Sequence, residues 1–264
     1  MNKQDIYSIR QRLDSIDPFQ AMAQSRVDTY NRSQGKDDGT GIQCSECNNR
    51  GDLAFISDDG FFTVRLCKCA GTRLTIKRLQ KQGLFDIAQK KTLSNFQTDT
   101  DTREALKDIA VRFLEEKESH WMILCGQSGA GKTHLCTATF VQLSFDRGLD
   151  GRYLLWPSDS RRMKAAAKDG NEQYINDFKQ CSFLYIDDLF KGKKDSEPTD
   201  ADVRLAFDIL DYRYNHKLPT IISSEMLLEE IRDLDVAIYR RIREMCGPYI
   251  GNIGRDPRKC FVEM

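Results

Sequence analysis

The chain has 264 residues, and its 40 Lys and Arg balance 40 Asp and Glu, so the net charge is zero. That length holds one large domain plus a small one, and the balance excludes a uniform basic coat for nucleic acid; any such contact must be a local patch. No apolar run reaches the ~20 residues of a membrane span, and MNKQDIYSIRQRLD lacks the apolar core of a signal peptide. The expected compartment is the cytosol, where the nine cysteines are not expected to form disulfides.

Residues 1–40 are polar, with Ile6, Ile9, Leu13 and Ile16 near helical spacing. They read as a helical arm that packs on the body or on a partner. SQGKDDGTG, Ser33 to Gly41, has linker composition and marks a boundary. The next region, 41–85, opens with Cys44 and Cys47 as C-x-x-C; Cys67 and Cys69 follow after nineteen intervening residues. Between the pairs, two strand-like runs flank Asp59-Gly60, a hairpin signal. A hairpin brings the pairs together, and four thiolates in a tetrahedron suit a structural Zn²⁺ with no position open to substrate. A helix with Arg73, Lys77 and Lys81 on one face, and Arg78 beside them, then runs to Gly83. It is either a patch for phosphate backbone or an acidic partner, or a plain solvated face.

The large domain is expected over 92–264. Leu106, Ile109, Ala110 and Phe113 keep helical spacing in TREALKDIAVRFLEEK. Trp121 to Cys125 reads as a buried strand. It leads into Gly126-Gln127-Ser128-Gly129-Ala130-Gly131-Lys132-Thr133-His134, which fits G-x-x-x-x-G-K-[ST] ahead of a helix. The glycines let backbone N–H groups turn inward onto phosphate oxygens, and the helix aims its positive end at the same anion. Lys132 reaches the β- and γ-phosphates of ATP, and the Thr133 hydroxyl is placed for Mg²⁺.

RYLLW is the next strand, followed by one or two helices carrying Arg161, Arg162, Lys164 and Lys168. Phe183 to Ile186 forms a buried strand that delivers Asp187 and Asp188 at its C-terminal end. Asp187 would enter the Mg²⁺ shell and Asp188 would polarise the attacking water. A helix starts near Thr199-Asp200, and LPTIISSE is a further strand ending in Ser223, Ser224 and Glu225, where a polar residue senses the γ-phosphate or caps the next helix. Tyr239-Arg240-Arg241-Ile242 lies on a late helix, from which an arginine could reach a neighbouring subunit's ATP. The tail reads as two short strands around a turn. Strands separated by helices imply an α/β fold with a mostly parallel sheet flanked by helices.

On GQSGAGKTHL, RYLLW, FLYIDDLFKG, DILDYRYNHKLPTIISSE and DVAIYRRIREMC, residues 92–264 resemble the AAA+ ATPase domain of DnaC/DnaI-type replicative helicase loaders. That group includes the IstB-like transposition ATPases, and the match is with its phage and Gram-positive DnaC-like subgroup. The cysteine ribbon and basic helix at 44–82 resemble the N-terminal part of those loaders. The resemblance implies MgATP on Lys132 and Thr133, a Walker B pair of Asp187 and Asp188, Ser224 at the first sensor position, and Arg241 as arginine finger, with Arg240 beside it as the alternative. It further implies a DNA-stimulated ATPase that assembles into ATP-bridged oligomers, and Asp188, shorter than the Glu that many AAA+ proteins carry there, implies slow hydrolysis. Such a protein would grip single-stranded DNA through Arg161, Arg162, Lys164 and Lys168, and hold a hexameric DnaB-type helicase through its zinc-bearing N-terminal region. Trp156 beside the DNA residues is a stacking candidate or a core residue, and the core reading is preferred. An IstB-like helper of a transposase is the nearest rival; a metabolic P-loop kinase lacks an evident acceptor pocket.

Overall fold

In a computed structural model, residues 18–116, 120–147, 151–192 and 197–254 are described, together with the backbone of 261–262. The stripe Ile6, Ile9, Leu13 and Ile16 lies outside them. The chain divides into two compact units at Lys77/Arg78, whereas the sequence suggested divisions near 40 and 85–92.

In the first unit, α1 (Pro18–Arg32) packs on a hairpin of β1 (Asp52–Ile56) and β2 (Phe62–Leu66). Gly60, at φ 82°, makes the turn, as Asp59-Gly60 predicts. The α1–hairpin contact is largely polar. Tyr30 donates its hydroxyl to Asp52 at 3.1 Å and sets its ring edge-on to Phe62, and the Asn31 amide bonds both the N–H and the C=O of Ala54. Among described residues Val27 is the buried residue of α1, so little apolar core holds this unit. The Ser33–Gly41 stretch is not a free linker. Gly35 N–H donates to Asn48 C=O at 2.7 Å, and a Cβ on Gly35 would stand 2.3 Å from the Asn49 backbone. Its composition signalled irregular backbone, and that backbone is held in place. The helix α2 (Cys69–Lys81) follows the hairpin, and Gly83 at φ 68° lies just past its end.

The second unit is a three-layer α/β domain. After α3 (Phe85–Lys90) and α4 (Asp101–Glu115) come β3 (Trp121–Gly126), α5 (Lys132–Asp146), β4 (Gly151–Leu155), α6 (Trp156–Lys168), α7 (Gln173–Gln180), β5 (Phe183–Leu189), α8 (Asp200–Asn215), β6 (Thr220–Ser224), α9 (Leu228–Leu234), α10 (Val236–Cys246), β7 (Ile250–Ile253) and β8 (Phe261–Val262). The sheet runs β4-β5-β6-β3-β7-β8, parallel throughout except for the antiparallel β8. Strand alternation splits the core. Met122 and Leu124 face α4 and α5 through Leu106, Ile109, Leu135 and Phe140. Ile123 and Ile222 face α8, α9 and α10 through Ile209, Ile231 and Ile242.

The tail forms two short strands, with β8 antiparallel to β7, and β7 also joins the sheet in parallel beside β3. The strand RYLLW stops at Leu155, since Pro157 suits the first turn of α6. Trp156 is 2% exposed and packs edge-on against Phe190, so it belongs to the core and cannot stack on a base.

Arg213 of α8 is wholly buried without a carboxylate. Its guanidinium donates to the backbone oxygens of Phe178, Lys179, Cys181 and Pro219 and to the Thr220 hydroxyl. It thereby ties the end of α7 to the entries of β5 and β6. Burial lowers its pKa to about 10, which still leaves it charged at neutral pH. Arg213→Met strands these acceptors and should cost about 3–5 kcal/mol. A clear fall in denaturant midpoint is expected, and an unchanged midpoint would show that the clamp contributes nothing.

Candidate functional site

The phosphate loop joins β3 to α5. Gly126 and Gly131 take φ of 101° and 90°, a region open to glycine. A Cβ on Gly126 would meet Ile253 C=O at 2.1 Å, and one on Gly131 would meet the Phe96 ring at 2.5 Å. Behind the loop, Gln127 N–H donates to Ile253 C=O at 2.8 Å, so β7 braces it. In front, Arg103 donates to Gly129 C=O at 3.2 Å while paired with Asp99. Gln127, Ser128 and Gly129 form an exposed crest. Lys132 is buried, its ammonium donating to Gly126 and Gln127 C=O at 2.7 and 2.8 Å. Burial pushes its pKa down, and the acids Glu225 and Asp188 oppose that. A phosphate would supply the missing counter-charge.

Thr133 meets Asp187 across the sheet: its hydroxyl donates to Oδ1 at 3.0 Å. The loop and the acid strand, 54 positions apart, thus converge where a Mg²⁺ ion would bridge them. Asp187 is buried and accepts two more hydroxyls, from Ser223 on Oδ1 and from Tyr153 on Oδ2. Asp188 is different. It sits at φ 58° in a bulge between Ile186 and Leu189, its N–H donates to Ser223 Oγ at 2.9 Å, and its carboxylate pairs with Lys191 at 3.0 Å. Burial raises its pKa and Lys191 lowers it. Lys191 also binds Glu225 at 2.9 Å, which holds that carboxyl below its usual range.

Several sequence-derived positions are revised. Ser224 points away from the acids: its hydroxyl donates to Leu189 C=O and accepts from Met226 N–H. Ser223 is the strand-end hydroxyl at the site. Ile186 pairs with Ile222, so the next residues, Asp187 and Ser223, meet at the strand ends, and the bulge that follows brings Ser224 opposite Leu189 instead. His134 faces away from the crest, bonded to Thr92 C=O at 2.9 Å and edge-on to Phe96. Arg241 is held within the chain, by Asp211 and Ala237 C=O and against the rings of Phe207 and Tyr214. Arg240 is exposed. Lys164 pairs with Asp202 at 2.6 Å, and Arg162 lies over Tyr174 beside Asp159, which leaves Arg161, Arg162 and Lys168 as the exposed basic groups of α6. Tyr153, Arg103 and Lys191 carry no motif and went unseen in the sequence.

In the first unit, the Sγ atoms of Cys44, Cys47, Cys67 and Cys69 all lie within 4.8 Å of one another. Cys44–Cys67 is 3.8 Å and Cys47–Cys69 is 3.5 Å, close to the ~3.8 Å edge of a tetrahedron with 2.3 Å Zn–S bonds. Asn48 and Asn49 take φ of 47° and 65°, which bends the chain after the first pair, and Asn49 caps Cys44 N–H at 2.6 Å. A backbone hydrogen bond from Cys47 pulls the Cys44 thiol down to about 7, while burial pushes Cys67 up to about 12. Four sulfurs this close ionise together only around a cation, so the donor set fits zinc. Arg73 does not join a basic face. It is 6% exposed and donates to Cys69 Sγ, Asp38, Ile42 C=O and Asn49, so its charge is turned inward onto Asp38 and the sulfur cluster. Lys77 pairs with Asp38 as well.

Comparison with known proteins agrees with this geometry. The profile of IstB-like ATP binding proteins matches residues 72–234. YqaM of Bacillus subtilis is 32% identical over 72% of this chain, and the match spans 63% of YqaM. The phage-like element PBSX protein XkdC of the same organism is 29% identical over 81% of this chain and 83% of its own. The crystal structure of the DnaC helicase loader superimposes with a TM-score of 0.55 at 20% identity, covering 62% of this chain and 98% of that one, and so shares the fold. The strand order, the phosphate loop and the paired strand-end acids make the second unit an AAA+ P-loop domain. No described helix is long and apolar enough to cross a membrane. With loop, acid strand and family profile in agreement, the chain belongs to the IstB-like ATP-binding protein family.

Proposed function

We propose that this protein is an ATP-dependent loader that binds a hexameric DnaB-type replicative helicase through its first unit and delivers it onto single-stranded DNA. The observation that carries this reading is the convergence of Lys132, Thr133 and Asp187 in a fold shared with the DnaC helicase loader. Lys132 and the loop hold the triphosphate of ATP, and Thr133 with Asp187 holds Mg²⁺. Asp188 orients and polarises the attacking water once Lys191 yields it, a requirement consistent with slow turnover. Ser223 senses the γ-phosphate through the two acids it touches. In an oligomer bridged by ATP, Arg240 is the arginine placed to reach a neighbour's nucleotide, since Arg241 is engaged by Asp211. Arg161, Arg162 and Lys168 offer contacts to single-stranded DNA.

The test is co-purification of the full chain with the replicative helicase of the same genome, with and without ATP. ATP-dependent recovery is expected from the parent. It should be lost in a chain lacking residues 1–77, and its ATP response should be lost in Lys132→Ala. Failure of the parent to recover the helicase would refute the loader. The rival that the family description favours is an IstB-like helper of a transposase, and recovery of a transposase on duplex DNA would establish it in place of the loader.

The first unit is read as a structural zinc site on Cys44, Cys47, Cys67 and Cys69. Bound zinc supplies about 10–16 kcal/mol of apparent binding free energy, which suits a unit with so small a core. Metal analysis should find one zinc per chain, and Cys44→Ser should lose zinc and melt earlier. A metal-free parent, with unchanged melting in the variant, would overturn the site.

A further inference from the structure

Asp187 is the carboxylate that the phosphate-loop hydroxyl touches where Mg²⁺ would bind, and the family motif says nothing about what aims it. Three hydroxyls converge on it. Thr133 and Ser223 share Oδ1, and Tyr153 alone holds Oδ2 at 2.9 Å. Thr133 comes from the phosphate loop and Ser223 from the adjoining strand β6, so both belong to the nucleotide machinery described above. Tyr153 comes from the far side, on the edge strand β4.

Its placement is well determined. Tyr153 pairs with Tyr185 across β4 and β5, their ring centroids 5.3 Å apart. On the other side of β4, where no further strand lies in the sheet, Gln82 takes over: its carbonyl accepts Tyr153 N–H at 2.9 Å and its amide donates to Gly151 C=O at 3.3 Å. The phenol therefore approaches Asp187 from a backbone that is bonded on both edges.

The chemistry of the donors matters. A carboxylate offers about four lone-pair sites. Neutral hydroxyls fix its rotation without cancelling its charge, whereas an ammonium, such as Lys191 on Asp188, does both. Asp187 is thus oriented yet still available to a cation. Thr133 can keep its proton on Oδ1 while its oxygen meets the metal, and Tyr153 is the hydrogen-bond donor to Oδ2, with the buried Tyr185 phenol also close to Asp187.

We infer that Tyr153 is a positioning residue for Mg²⁺: its hydroxyl holds Oδ2 of Asp187 so that the carboxylate meets the metal of MgATP in one orientation. The inference rests on the MgATP reading of the site and adds to it a residue outside both nucleotide motifs.

The test uses the full chain with Tyr153→Phe, which removes one oxygen and keeps the ring that packs on Tyr185. Binding of a fluorescent ATP analogue is titrated in EDTA and across a range of Mg²⁺. The expected result is unchanged affinity in EDTA, an unchanged melting temperature, and a Mg²⁺ half-saturation raised about 10-fold, the usual scale for losing a partner that orients a metal ligand. Tyr153→Leu should lower the melting temperature as well, because it also deletes the ring. If Tyr153→Phe leaves the Mg²⁺ half-saturation unchanged, or weakens EDTA and Mg²⁺ binding by the same factor, the inference is overturned while ATP binding by the parent stands. If the parent binds no analogue, or Lys132→Ala binds it equally well, the nucleotide reading itself fails and takes this inference with it.

Discussion

The carboxylate of Asp187 gathers the hydroxyls of Thr133, Ser223 and Tyr153, which arrive from α5, β6 and β4. None of these segments is adjacent in sequence. The parallel sheet brings the first turn of α5 beside β4 and the C-terminal end of β6, and this carboxylate fastens them there. Backbone pairing sets the spacing of the strands, but hydroxyl donation to one buried anion sets where the reactive groups point. Lys132 depends on the same arrangement, since its burial is tolerable only where acids lie near and a phosphate can enter.

The two neighbouring aspartates are treated oppositely. Asp187 has neutral donors on both oxygens, and Asp188 has a lysine. The bulge that turns Asp188 to φ 58° lets consecutive residues serve different partners, which a regular strand would send to opposite faces. Backbone strain of this kind is held in place by Ser223, whose oxygen accepts the Asp188 N–H while its proton goes to Asp187.

The phosphate loop was legible because its chemistry is local: glycines at positive φ, then lysine and threonine, within eight residues. The cysteine cluster was legible for the same reason, two short pairs around a hairpin turn. The parallel sheet followed from buried strands separated by helices. The strand end Ser223-Ser224-Glu225 was legible, but which serine meets the acid was not, because cross-strand register decides it, and the family resemblance pointed to Ser224 where Ser223 meets Asp187. Tyr153 and Arg73 were missed because their roles exist only after distant segments meet, Tyr153 with Asp187 and Arg73 with Asp38 and Cys69. Arg73 also shows why charge runs mislead. Seen in sequence it joins a basic face, yet folded its guanidinium is buried on Asp38 and Cys69 Sγ.

The bracing of the phosphate loop by β7 has a further consequence during synthesis. Gln127 N–H and the tight approach of Gly126 both need Ile253 in place. Both strands that flank β3 are encoded downstream of it. On the ribosome, the loop therefore emerges long before its backing, with one side of β3 bare until the final parallel strand is translated. The braced geometry of the loop is complete only once β7 has docked beside β3.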